Sequence, residues 1–208
     1  MDLQILQWIN KNLHGSNFIN HIIKYITYLG ETGICWIILA IVLMCFKKTR
    51  KGGFLLACGI CATGVVNNLI LKNIFDRARP FTEDGALVDF INSIGMELPD
   101  SPSFPSGHTF SSFCSAMILT LAFKKKGAWS FIPATLISLS RVFLCVHYPT
   151  DVLAGMIIGC GVGVATYFIG KWVLFKIDRF IENKRNIKKE NHNKNSKESI
   201  LEQKEDKN

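Results

Sequence analysis

Residues Val152–Leu174, VLAGMIIGCGVGVATYFIGKWVL, hold one charge, Lys171, in a run of apolar and small residues. That length matches the roughly 20 residues an α-helix needs to cross a bilayer. Four more stretches read the same way: Gly33 to Phe46, Phe54 to Phe75, His108 to Phe123 and Ala128 to Val146. The whole 208-residue chain is 49% hydrophobic, contains 15 phenylalanines and has a mean hydropathy of +0.23, a composition unlike that of a soluble domain.

A sixth run, Phe18 to Leu29 (FINHIIKYITYL), is short and carries His21 and Lys24. Parity favours counting it as a crossing. Basic flanks resist translocation, and the clusters at Lys47, Lys48, Arg50 and Lys51, at Lys124 to Lys126, and in the lysine-rich end after Lys171 therefore belong inside. Residues 76–106 and 147–150 then lie outside, and six crossings put both termini in the cytoplasm. The expected fold is all-α, a polytopic membrane protein with six transmembrane helices. A short interfacial N-terminal helix precedes them: Asp2 to Leu13 sets Leu3, Leu6, Ile9 or Trp8, and Leu13 at helical spacing against Gln4, Gln7, Asn10 and Lys11, a pattern suited to a bilayer surface ahead of a partner-binding role. The basic start and cleavage site of a signal peptide are not seen there.

Composition changes after Leu174, which divides the chain into a membrane domain, 1–176, and a charged tail, 177–208, expected to be disordered and cytoplasmic. Its inner basic residues suit anionic lipid headgroups. The net charge of +8 sits where membrane topology requires it, so nucleic acid is not its partner. All seven cysteines fall within or beside apolar runs, which argues against disulfides, and Cys58-Gly-Ile-Cys61 reads as helix packing rather than a redox motif. Gly155, Gly159 and Gly163 form a four-residue repeat that allows another helix to approach closely.

Three polar stretches interrupt this apolar pattern: Lys72-x6-Arg79-Pro80, Pro105-Ser106-Gly107-His108, and Ser140-Arg141-x5-His147-x3-Asp151. Lys72 and Arg79 stand about two helical turns apart at the outer end of one run. Ser106, Gly107 and His108 open the next, where a helix N-terminus offers free amides and a positive dipole end to an anion. Arg141, His147 and Asp151 bracket the outer ends of the last two. All three stretches thus reach one membrane face with the groups needed to bind and cleave a phosphoryl group. Snorkelling accounts for a single cation near hydrocarbon, but not for the whole set. Asn67, Asn68 and Asn73 either support Lys72 or pack within the helix.

Each defining position and spacing resembles the signature of the type 2 phosphatidic acid phosphatase superfamily, over the core from the second to the sixth run. Arg77 and Arg79 resemble the doubled arginine of bacterial members. The resemblance implies that His147 attacks phosphorus to form a phosphohistidine while Asp151 orients it. It implies that His108 is the general acid and then the base, and that Lys72, Arg79, Ser106, Gly107 and Arg141 bind phosphate. With three cations at the site, neither a metal nor another cofactor is expected. A membrane lipid phosphate or diphosphate is the implied substrate, foremost undecaprenyl diphosphate released on the outer leaflet during wall synthesis. Phosphatidylglycerophosphate and phosphatidic acid are the alternatives, and a catalytically silent lipid-binding or transport protein is the alternative of another class.

Overall fold

The computed structural model describes residues 1–14 and 16–205, with side chains through residue 188. Ten α-helices follow one another: α1 (Asp2–Leu13), α2 (Asn17–Leu29), α3 (Ile34–Cys45), α4 (Arg50–Thr63), α5 (Lys72–Phe75), α6 (Gly85–Ser93), α7 (Gly107–Phe123), α8 (Lys125–Ala128), α9 (Phe131–Phe143) and α10 (Pro149–Glu205). Between α4 and α5 the chain winds as a π-helix, Gly64–Leu71, and short 3-10 turns occupy Glu31–Gly33 and Pro80–Thr82. Among the described residues there is no strand. Asp76, in the left-handed region at φ 33°, ends α5, and the Asp84 carboxylate caps α6 by accepting from the Ala86 amide at 2.9 Å.

The chain divides into two compact units, Met1–Phe168 and Ile169–Asn208. In the first, α7 is the central helix, with Phe110, Cys114, Ala116 and Ile118 fully buried. Its close neighbour is α10. A Cβ on Gly155 would lie 3.0 Å from the Ser106 carbonyl, one on Gly159 2.5 Å from that of Phe110, and one on Gly163 2.7 Å from that of Cys114. The glycine repeat is therefore an intramolecular packing face, whereas Gly161 meets nothing within 4 Å. In the second unit, only Leu174 is even partly covered between residues 171 and 188. The backbone is helical to Glu205, over the stretch where composition leads one to expect disorder; from residue 189 onward the charged segment lies outside the described side chains.

Two runs are long and apolar enough to cross a bilayer, Arg50–Thr82 (33 residues) and Pro149–Lys188 (40 residues). A third arises when α2 and α3, which meet at 43°, are taken together, and α7 is an apolar helix of 17 residues. Among the described residues two or three spans meet that length and composition, so six crossings are not confirmed. Helix α2 covers the run at 18–29; only about 20 Å long, it is held at one end of the bundle. Ahead of it the His14 ring meets the Phe143 carbonyl at 2.7 Å. Midway, Lys24 Nζ donates to the Ile94 and Gly95 carbonyls at 2.7 Å each, and near its end the Thr27 hydroxyl accepts from Arg141 at 2.8 Å.

The amphipathic pattern at the N-terminus forms a helix that buries Leu6 and Ile9 in protein, while Ile5, Trp8 and Leu13 stay exposed. Leu6 and Ile9 of α1 join a core with Leu87, Phe90 and Ile91 of α6 and with Leu144, Val146 and Tyr148. Gln7 donates to Asp84 at 2.9 Å and Asp2 pairs with Arg77 at 3.2 Å. Helix α1 thus sits at the bundle end that carries α6 and the α9–α10 connection.

Candidate active site

At that same end lies a cavity of about 290 Å³. Six of the eight residues singled out from the sequence line it: Lys72, Arg79, Gly107, His108, Arg141 and His147. Ser106 and Asp151, both fully buried, stand behind its wall.

Each side chain arrives for a local reason. The π-helical turn ahead of α5 sets the direction of Lys72, whose Nζ donates to Ser101 Oγ at 2.8 Å. Pro80 stops the chain after Arg79, which is fixed by Nε to the Ser101 carbonyl (2.7 Å) and Nη1 to the Val146 carbonyl (2.9 Å). Arg141, in the last turn of α9, is buried and spends one Nη1 bond on Thr27, while its Nε has no partner. That arrangement leaves donors for a bound anion.

The opening turn of α7 contributes backbone. Ser106 holds the N-cap position, yet its side chain makes no cap bond and instead accepts from Thr109 Oγ1 at 3.1 Å. The first-turn amides of a helix have no intrahelical acceptor, so those beginning at Gly107 are left for an anion. The Asn67 side chain nearby has a buried Oδ1 without a partner, and its Nδ2 donates to Asn68 rather than supporting Lys72. Asn73 bonds the Leu69 carbonyl, the packing alternative.

His147 lies in the short connection between α9 and α10 and is almost fully buried. Its Nε2 is 3.4 Å from Arg79 Nη1, while Nδ1 faces the opposite way, 3.4 Å from Ser103 Oγ and 3.6 Å from Asp151 Oδ2. Burial, reinforced by Arg141 and Arg79, holds the imidazole below its ordinary value and so neutral, with Asp151 opposing. Asp151 is itself saturated: Oδ2 accepts from Ser103 Oγ (2.5 Å) and the Tyr148 amide (2.9 Å), and Oδ1 pairs with Arg77 Nη1 at 2.6 Å. Arg77 stacks on the Tyr148 ring at 4.0 Å. One imidazole nitrogen is backed by a fixed carboxylate, and the ring edge lines a cationic cavity.

This cluster coincides with what relatives share. A model of the PAP2 superfamily matches residues 52–174, a span containing all three polar stretches. The chain belongs to the PAP2 superfamily. An undecaprenyl-diphosphatase from Sulfolobus acidocaldarius is 30% identical over 162 residues, 76% of this chain and 73% of that protein. Phosphatidylglycerophosphatase B from Bacillus subtilis is 29% identical over 177 residues, 78% of this chain and 79% of that one. The crystal structure of a PAP2-type phosphatidylglycerolphosphate phosphatase from Bacillus subtilis superposes with a TM-score of 0.62 at 26% identity, covering 86% of this chain and 87% of that one. The chain is accordingly an integral membrane phosphatase of the PAP2 type.

Four residues at this PAP2 site carried no signal of their own in the sequence. Ser101 and Ser103 come from the connection after α6, Thr27 from α2, and Glu31 from the turn before α3. Serines, a threonine and a glutamate in connecting segments look like any others, since their role depends on what the chain folds against.

Proposed function

We propose that the chain hydrolyses a membrane lipid phosphate or diphosphate through a phosphohistidine on His147. The observation that carries this reading is the His147 ring at the wall of a cavity lined by Lys72, Arg79 and Arg141, with Asp151 behind Nδ1. In the first step Nε2 attacks phosphorus, the bond to the leaving oxygen breaks, and His108 delivers the proton that oxygen needs. In the second, His108 removes a proton from water, the oxygen attacks phosphorus, and the N–P bond breaks to release phosphate. Lys72, Arg79, Arg141 and the Gly107 amide neutralise the non-bridging oxygens, with Ser106 shaping the turn that presents that amide. Three fixed cations at the phosphate position supply the charge that a divalent ion would otherwise bring, and they oppose its binding, so the scheme uses no metal.

The substrate we favour is undecaprenyl diphosphate, converted to the monophosphate. The similarity to an undecaprenyl-diphosphatase supports it, as does the charge bias: the loop at 47–51 carries four basic residues and that at 124–126 three, against none in 81–104. On that bias we read the cavity as facing outward, the side on which such a carrier is released. With α2 and α3 read as one broken crossing, α1 shares the outer face with the cavity. Phosphatidylglycerophosphate is the second reading, supported by the likeness, in sequence and in fold, to phosphatidylglycerophosphate phosphatase from Bacillus subtilis. Phosphate release by the purified protein from a panel of undecaprenyl diphosphate, phosphatidylglycerophosphate and phosphatidic acid tests both. The highest kcat/KM is expected for undecaprenyl diphosphate, and no release from any lipid phosphate would instead support a silent binding protein.

A further inference from the structure

The turn between α2 and α3 is built with unusual backbone. Thr32 and Gly33 both lie in the left-handed region, at φ 49° and 72°. A non-glycine residue there is strained, and such strain gathers at functional sites. Gly30 precedes them, and a Cβ on it would sit 2.8 Å from the His108 ring, so only glycine lets this turn come so near α7. The result is that Glu31 reaches the cavity wall with Oε2 3.4 Å from His108 Nε2. The Glu31 side chain is 59% exposed and shares the cavity with Arg141, both of which favour its ionised form. Glu31 is therefore a carboxylate throughout the neutral range.

The charges around His108 otherwise share one sign. Arg141 from α9 and Arg79 from the segment after α5 act on the ring, and Lys72 and His147 line the same cavity. A histidine among these cations and out of water needs an anion beside it to stabilise its protonated form. We propose that Glu31 is the positioning residue for His108, fixing the ring and supplying the counter-charge that lets it carry the proton for the leaving oxygen. The inference rests on the reading of His108 as the acid. It gives a reason for the strained turn, whose conformation places this single carboxylate against the ring.

A general acid matters when the leaving group is a poor one and little when it is good, so the test compares an alkyl phosphate lipid with an activated aryl phosphate. Glu31→Gln keeps size and removes charge at a partly exposed position. It should lower kcat/KM for the alkyl substrate about 10- to 100-fold, part of the roughly 10²–10⁴-fold that a general acid supplies, while the aryl substrate changes less than about threefold. Unchanged thermal melting shows that the variant is folded. His108→Ala, measured alongside, should show the same discrimination more strongly. Discrimination in His108→Ala but not in Glu31→Gln would overturn the role of Glu31 and leave the acid intact. Discrimination in neither would remove the acid assignment and this inference with it. A lower KM with equal effects on both substrates would make Glu31 a repulsive gate for anions instead, and would equally overturn the proposal.

Discussion

Replacing Gly159 by alanine tests the packing that holds the site together. The added Cβ would sit 2.5 Å from the Phe110 carbonyl oxygen and 3.2 Å from its Cα, both backbone atoms that cannot swing aside. Reaching even 3.0 Å requires α7 and α10 to part by about 0.5 Å, and ordinary contact at 3.4 Å requires about 0.9 Å. Overpacking of this kind costs about 1–3 kcal/mol. The displacement also reaches the chemistry, because α7 carries His108 and α10 opens with Asp151. A misplacement near 1 Å costs about 100-fold in rate, so Gly159→Ala should lose about 10- to 100-fold in kcat and melt earlier in detergent. Gly161→Ala is the control, since nothing lies within 4 Å of its Cβ position and alanine is the better helix former. Wild-type turnover and melting in Gly159→Ala would refute the close α7–α10 approach. Equal damage from Gly161→Ala would trace the effect to glycine itself rather than to contact.

His147→Ala should abolish turnover, and Asp151→Asn should retain a weak activity because only orientation and charge stabilisation are lost; rapid-quench trapping of an acid-labile phosphoenzyme in the wild type checks the covalent route. The acid limb of kcat/KM follows from the burial of His147: protonation disables the nucleophile as pH falls through a value held below the ordinary 6.5, so a pH profile should show activity sustained below that pH. Vanadate should inhibit and EDTA should not, and loss of turnover in EDTA that one divalent metal restores would sink the metal-free scheme. In a cysteine-free background, Ser93→Cys and Gln4→Cys should both react with an impermeant thiol reagent on intact cells, and Lys125→Cys should not. Labelling at Lys125 alone would reverse the orientation, and labelling at Ser93 without Gln4 would restore six crossings.

The helical class and most of the residues that line the cavity were legible in the linear chain because both are local properties. An apolar run such as Val152–Leu174 has one stable form in a bilayer, and the three polar stretches carry their meaning in residue type and spacing. The glycine repeat was readable for the same reason: small residues at four-residue spacing permit a close approach whatever the partner. Tertiary structure alone decided that the partner is α7, that α2 stays at one end of the bundle, and that α1 buries Leu6 and Ile9 in protein. It also decided that Ser103 and Arg77 secure Asp151 and that Glu31 faces His108. The physical reason is range. Hydropathy and helical periodicity act over a turn or a span, whereas these contacts join residues 48, 74 and 77 positions apart and exist only once the helices have packed.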